Sequence, residues 1–473
     1  MDEAVAYSTL ALTVTLAVSR PRIGLRALRF TPGTAALVGV TVLLLAGLLK
    51  LEDLVVSARI QWRPLLALTC IMVMTGVVQE VGAFDRLAVW IESHARRTSA
   101  SRAFNLIFAA SVITPSLLNN DAAILLLTPL VVALTRRLYP GRAAITEAFA
   151  FAVFLAPGVA PFIISNPMNM IVAEFAGVGF NAYAFVMAPI SIAGAILTYV
   201  ILRVYFRRLL ASTVAKGTTD ELPAPHAGER PAVFLLLAVF LAYPAMAAFD
   251  GPIWVVSLAG ALTSLALAAR YRVASARKVL GHVSPDILVF LWGVFLLVVG
   301  LRHVGVVDRL SNVYQSQPSG SFSELGVVGV ISAIGSALVD NHPMSILNMM
   351  ALGDHGGSLP LLAALVGGDI GPRLLPIGSL AGLLWMDLLR RSGVEWTLLS
   401  RGLHRTCHGR TLAESPGEAG DHPQASVPSA TSASKRSRSA AMRVRFVLSE
   451  PKTRPRITMT PPKPIAARQG SAW

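Results

Sequence analysis

The chain has 473 residues, of which 54% are hydrophobic and only 14% charged, with a formal net charge of +15 and a mean hydropathy of +0.61. Soluble domains carry about 25% charged residues, so an ordinary water-soluble enzyme is excluded and a polytopic membrane protein is expected. The positive charge does not indicate nucleic acid: thirteen basic against five acidic residues follow position 392, and most other basic residues flank apolar runs, where they set orientation.

Three apolar segments come first, at residues 4–18, 33–49 and 64–83, each near the length that a bilayer crossing needs. The first follows Asp2 and Glu3 and lacks a small-residue cleavage site, so it reads as a retained span rather than a signal peptide. Arg20, Arg22, Arg26 and Arg29 place the first loop in the cytoplasm and the N-terminus outside. Residues 86–100, amphipathic and bearing Arg86, Arg96 and Arg97, are expected along the inner interface. Residues 103–135 are apolar but interrupted by Asn119-Asn120-Asp121, and both ends are basic, with Arg102 before and Arg136, Arg137 and Arg142 after. A re-entrant hairpin from the cytoplasmic side explains that symmetry, with Asn-Asn-Asp at its tip. Residues 144–173 then cross outward through APGVAPFIISNPMN, where Pro157, Gly158, Pro161 and Pro167 cannot all sit in an unbroken helix. Residues 179–204 return, ending at Arg203, Arg207 and Arg208, before a polar stretch with Pro223 and Pro225.

Residues 231–249 go out again and 252–269 come back to a basic loop of Arg270, Arg272, Arg277 and Lys278, and 285–301 cross outward. A second hairpin over about 325–352 carries Asp340-Asn341-His342 and is flanked by Glu324 and Asp354, so it opens to the outside despite Arg302 and Arg309 on that side. Residues 359–389 come inward through GGDIGPRLLPIG, a second broken helix, and stop at Arg390 and Arg391. VGAFDRL (81–87) recurs as VGVVDRL (304–310) at nearly the offset that separates the two polar tips. The expected fold is therefore an all-α polytopic membrane protein, an inverted-topology repeat with two re-entrant hairpins and two broken helices. In such an architecture the solute binds near the midplane. Repeat 1 covers 1–206, a cytoplasmic linker 207–230 and repeat 2 231–392. A disordered, basic, cytoplasmic tail rich in Ser, Pro and Arg covers 393–473. The inverted repeat is expected to end with a partner of span 179–204, and no apolar run after residue 392 reads as one; either the chain works without it or the tail is an altered reading of the C-terminus.

Polar groups at membrane depth are functional candidates by default. The amides of Asn119, Asn120, Asn166, Asn169 and Asn341 both donate and accept hydrogen bonds, so the site can hold a polar solute at little cost. Neither tip holds Lys or Arg, and Arg373 in the second broken helix is the one cation nearby. Asp121, Asp340 and His342 are the expected carriers of a coupling proton, and with Asp369 the aspartates form an alternative hard-oxygen cation site. Structural roles compete with these: Asn119, Asn120 or Asp121 as helix caps, His342 as a satisfied buried histidine, and Pro157, Pro161 and Pro376 as shapers of the breaks. Glu80 reads as interfacial and Cys70 as core packing. With Cys407 as the second cysteine there is no clustered thiolate or metal site, and no cofactor is expected. No phosphate loop or nucleophile elbow argues for an enzyme.

The stretches NNDAAILLLTPLVVAL (119–134), ISNPMNMIVAEFAGVGFNAYAFVMAPISI (164–192) and GGDIGPRLLPIGSLAGLLWMDLL (367–389) resemble the arsenite efflux permeases. These belong to the wider ion-transporter superfamily of citrate, dicarboxylate and sodium/proton carriers, and the likeness covers residues 1 to about 392. It implies a plasma-membrane secondary transporter that exports arsenite or antimonite in exchange for protons, with a cytoplasmic ATPase subunit or a second copy as partners. It adds Ser165, Gly378 and Ser379 to the substrate-binding set and Asp369 to the coupling set. Two readings stand beside it: a sodium/proton or organic or inorganic anion carrier of the same superfamily, and a non-transporting paralogue. The sequence departs from the family at Asp340-Asn341-His342, where similar permeases tend to show paired asparagines, and in the missing last span.

Overall fold

The computed structural model describes residues 2–394 apart from 20–21, 24–27, 96–97, 216–223, 225 and 354–356. Arg20, Arg26, Arg96, Arg97, Pro223, Pro225, Asp354, Cys407 and the tail lie outside the described residues. The described chain is all-α but for one two-residue antiparallel pair, β1 (Arg22–Ile23) with β2 (Leu28–Arg29), in the first loop. This departs from the helix-and-loop expectation there, and hydropathy carries no signal for so short a pairing.

The first half opens with α1 (Asp2–Ser19), α2 (Pro32–Leu45) and α3 (Leu51–Glu80). Thr31 starts α2 with a capping box shared with Thr34, and Pro32 takes the first-turn position where its missing N–H costs nothing. The helix stops earlier than the expected 33–49 segment because the chain turns at Gly47, φ +73°, a conformation open to glycine. Next come α4 (Ala83–Ala95), the expected amphipathic stretch, and the pair α5 (Ala100–Leu117) and α6 (Asn120–Leu138), which pack on each other around a break at Leu118-Asn119. Then α7 (Ala143–Leu155), a 3-10 turn at Ile163–Ser165 and α8 (Pro167–Phe175) form the first broken helix, followed by α9 (Phe180–Tyr205). Pro157, Gly158 and Pro161 all fall in the irregular stretch, and Pro167 opens α8. The expected linker begins with helix α10 (Arg207–Ser212), and Thr213 to Ala215 are tied to the start of the first hairpin through Ala100 N donating to Thr213 O (2.8 Å) and Ala215 N to Thr98 O (3.1 Å).

The same order then recurs. Helices α11 (Glu229–Ala247), α12 (Ile253–Arg270), a short α13 (Ala276–Leu280) and α14 (Pro285–His303) lead to α15 (Val306–Gln315). The pair α16 (Phe322–Val339) and α17 (Asn341–Leu352) breaks at Asp340. Finally α18 (Ser358–Leu374), a 3-10 turn at Pro376–Gly378 and α19 (Leu380–Arg391) form the second broken helix. Equivalent helices pack on equivalent helices: α2 lies on α14 as α12 lies on α3, and α6 lies on α19 as α17 lies on α8. Among the described residues six helical segments are long and apolar enough to cross a membrane: α3, α9, α11, α12, the run 276–303 and α16. The outer faces of α9, α11 and α16 expose large apolar side chains such as Phe185, Phe234 and Leu338, as lipid contact requires.

Candidate functional site

At the first tip Asn119 is the N-cap of α6, its Oδ1 accepting from Ala122 N at 2.8 Å. The capping role therefore falls on Asn119 and not on Asp121, which sits inside the first turn. Asn119 Nδ2, Asn120 Oδ1 and Asp121 Oδ2 are buried with no hydrogen-bond partner among the described residues. Unpaired buried polar atoms cost about 1–3 kcal/mol each, so a cluster of them at one chain break is a functional signal.

The second tip is built differently. Asp340 has φ +104°, a left-handed value that a side-chain-bearing residue adopts at a cost of roughly 1–3 kcal/mol. Its Oδ1 accepts from His342 N (2.9 Å) and lies 2.6 Å from His342 Nδ1. The histidine ring also meets Phe290 edge-on at 5.3 Å. His342 is thus buried and satisfied, paired with the aspartate two residues before it. Asn341 Oδ1 accepts from Ser345 Oγ (2.9 Å) and faces Gly368, where a Cβ would come within 2.6 Å of it.

One carboxylate ties the second broken helix to the break of the first. Asp369, on α18, accepts from Ala160 N (2.9 Å) and from Asn166 Nδ2 (2.8 Å), both in the break of the other half. Asn166 Oδ1 at the same time caps α8 by accepting from Met168 N (3.0 Å). Helix α9 props that break from behind, with Tyr183 donating to Ala160 O (3.2 Å) and Ser191 to Val159 O (2.7 Å). The fully buried Asn169 lies against Tyr183. Ser165 donates to Ser116 O on the first hairpin (3.3 Å). One turn past Asp369, the guanidinium of Arg373 crosses to the end of α7, donating to Phe154 O and lying 5.0 Å over the Phe154 ring.

A cleft at this junction is lined by Ser116, Asn120, Ser165, Asn166, Asp369 and Arg373 together with residues Ala156 to Pro161. Asp121 lies within electrostatic reach of His342, Asp340 and Arg373, and Asp369 within reach of Arg373 and His342. The ionisable groups of both halves therefore gather in one buried region. Not every expected residue joins the cleft. Gly378 is packed against the backbone of Ser336 and Ala337, and Ser379 caps α19 by accepting from Gly382 N (3.0 Å). Asp340 borders a separate apolar pocket with Thr13, Phe290 and Leu380. Ser116, Ser191, Tyr183 and the backbone of Ala160 were not singled out from sequence. Ser116, three residues before the first tip, carried a positional signal, whereas a backbone N–H carries none.

An all-α, multi-pass membrane fold with two broken helices around a buried polar junction is that of a secondary transporter, a transport protein and not an enzyme. The chain belongs to the CitMHS family, described as citrate transporters, whose model matches residues 16–368. The arsenical pump membrane protein of Escherichia coli is 28% identical over 412 residues, spanning 83% of this chain and 92% of that protein. The arsenical pump membrane protein of Yersinia enterocolitica is likewise 28% identical, over 410 residues, with the same coverage. An uncharacterized transporter of Mycobacterium tuberculosis is 25% identical over 405 residues, 80% of this chain and 91% of its own. Among solved structures the Alcanivorax borkumensis YdaH transporter, reported with an unusual topology, aligns with a TM-score of 0.48 and 15% identity over 82% of this chain and 90% of that one.

Proposed function

We propose that this transporter exports arsenite or antimonite across the plasma membrane in exchange for protons. The N-terminus lies outside, and the two halves are inverted repeats whose hairpins enter the bilayer from opposite faces. The observation that carries the reading is Asp369 of the second half closing the break of the first through Ala160 N and Asn166 Nδ2, beside the unpaired amide and carboxylate atoms of Asn119, Asn120 and Asp121. The similarity to arsenical pump membrane proteins over most of both chains supports the substrate.

The coupling follows from charge. Asp121, Asp340 and Asp369 face one guanidinium and one imidazole in a region of low dielectric, where net charge is costly. Binding a proton on Asp121 or His342 relieves the excess, and a change of exposure releases it. One proton crossing 100 mV supplies about 2.3 kcal/mol, which sustains a concentration ratio of roughly 40-fold. Substrate is held by Asn120 and the neighbouring amide of Asn119, with Ser165 and Asn166 lining the cleft beside them. The test is uptake of arsenite into inverted membrane vesicles with and without an imposed pH gradient. Gradient-driven uptake is expected, and its absence in vesicles containing correctly inserted protein would sink the reading. A carboxylate carrier is the second reading, favoured by the family's description and by the cation at Arg373. Citrate uptake in the same vesicles distinguishes it.

A further inference from the structure

Arg373 stands in the last turn of α18, where the accumulated carbonyls favour a cation. An arginine in that place would ordinarily serve its own helix end or reach water. Here it leaves its helix and bridges to the other half. Helix α7 stops at Leu155, so Pro157 and Gly158 leave the Phe154 carbonyl without a helical partner, and the guanidinium donates to it while covering the Phe154 ring. Those contacts fix one edge and one face of a planar group. The Nε–H edge remains, buried and without an acceptor among the described residues.

The same cleft holds a group of opposite need. Asn120 lines it and its Oδ1 is a buried acceptor with no donor. A fixed donor on a cation and a free neutral acceptor, from different halves of the chain, match a ligand that carries both an oxygen lone pair and a hydroxyl. The nearby carboxylates of Asp369 and Asp121 set a limit, since they repel a second or third negative charge on that ligand. We infer that Arg373 is a specificity-determining residue whose Nε–H receives an oxygen of a small oxyacid, neutral or singly charged, while Asn120 Oδ1 receives its hydroxyl. The inference rests on the export reading and sharpens its substrate class: arsenite and antimonite qualify, and a multiply charged tricarboxylate does not.

The bland alternative is a strut, in which Arg373 merely ties α18 to α7. Lysine separates the two. Its ammonium keeps the charge and can still reach Phe154 O, but it has no Nε–H edge. Arsenite uptake is measured in inverted vesicles for the wild-type protein, Arg373→Lys, Arg373→Gln and Asn120→Ala, with KM and maximal rate determined separately and citrate added as competitor. The expected result is a KM for arsenite raised about tenfold or more in Arg373→Lys and Arg373→Gln, the loss of a charge-assisted hydrogen bond. Asn120→Ala is expected to raise KM by a smaller factor, the maximal rates to fall less than KM rises, and citrate not to compete. Unchanged KM in Arg373→Lys, or effective competition by citrate, would overturn the inference while leaving arsenite export standing. Absence of arsenite uptake by the wild-type protein overturns the export reading and this inference with it. Should Arg373→Gln fail to insert, Arg373→Lys and Asn120→Ala still decide.

Discussion

The two halves repeat one order of elements but join hairpin to broken helix in opposite ways. In the second half α16 lies on α18 backbone to backbone. A Cβ at Gly367 would run into Gly329 O and to within 3.0 Å of Ala333 N, and one at Gly371 would run into the carbonyl of Ala333. In the first half α5 meets α7 through aromatic rings, Phe104 against Phe149 edge-on at 5.6 Å. The arm helices differ likewise. Tyr314 on α15 donates to Asn348 Oδ1 (2.6 Å), Asn348 Nδ2 donates to Ser332 Oγ (2.9 Å), and Ser332 donates to Ala364 O (2.5 Å), a buried chain running from arm to hairpin to broken helix. In the first half the matching arm contacts are buried Ile91, in an apolar cluster with Phe104 and Leu127, and an ion pair of buried Glu92 with Arg137 (3.6 Å). The second half is thus keyed by directional bonds and close backbone approach, and it supplies the charged groups Asp369 and Arg373. The first half leans more on apolar packing, with a buried bond from hairpin to broken helix, Thr135 donating to Thr146 Oγ1 (3.0 Å), and it supplies amides, a backbone donor and Asp121.

That contrast has measurable consequences, largest first. Asp369→Ala leaves Ala160 N and Asn166 Nδ2 without their acceptor. It is expected to cut arsenite uptake in vesicles sharply, to a residual rate that can still be measured, and to lower stability by roughly 2–5 kcal/mol, the cost of removing one partner from a buried charged hydrogen-bond set. A thermal melt on the solubilised protein gives the second quantity. Substitutions at the two seams come next and act in opposite senses. Phe149→Ala opens a cavity in the first half and costs about 3–5 kcal/mol, whereas Gly371→Ala overfills the second at about 1–3 kcal/mol. Transport should suffer more from Gly371→Ala than its smaller loss of stability suggests, because α18 carries Asp369 and Arg373. Equal transport in the two variants at equal protein level would break the comparison. Asn348→Leu removes the middle of the buried chain and should cost about 1–3 kcal/mol by leaving Tyr314 OH unpaired. Leu127→Ile in the first half should change stability by less than about 1.5 kcal/mol, being a volume-conserving swap. Smallest is Asn119→Ala, the loss of an N-cap, at about 1 kcal/mol. A larger fall in transport than in melting temperature would mark Asn119 as more than a cap.

Much of this architecture was legible in the sequence where polarity contradicts its surroundings. Asn119-Asn120-Asp121 and Asp340-Asn341-His342 announce two tips because an apolar run has no other use for them. Pro157, Gly158 and Pro161 announce the first break because three such residues within five positions cannot all sit in an unbroken helix, and Pro376 marks the second. VGAFDRL and VGVVDRL fall at the starts of α4 and α15. What stayed hidden was made by the backbone or by distance. The N–H of Ala160 has no side-chain signature, and nothing local to Asp369 reveals that its partners lie in the other half. Gly378 and Ser379, drawn in through resemblance, turn out to serve close packing against Ser336 and Ala337 and the cap of α19. The glycines of the α16–α18 seam look like those of any membrane helix until the helix they approach is known. The strand pair near residues 22–29 lies in a loop whose hydropathy is uninformative.

The central claim is that the second half reaches into the first and that the contact between Asp369 and Asn166 is part of the transport site. A double-mutant cycle on Asn166→Ala and Asp369→Ala, read as the rate of pH-gradient-driven arsenite uptake in vesicles at matched protein levels, tests it most directly. Residues acting through one bond are non-additive, so the double variant is predicted to lose no more activity than Asp369→Ala alone. Losses that simply multiply would mean that the two side chains act separately, and would contradict the account.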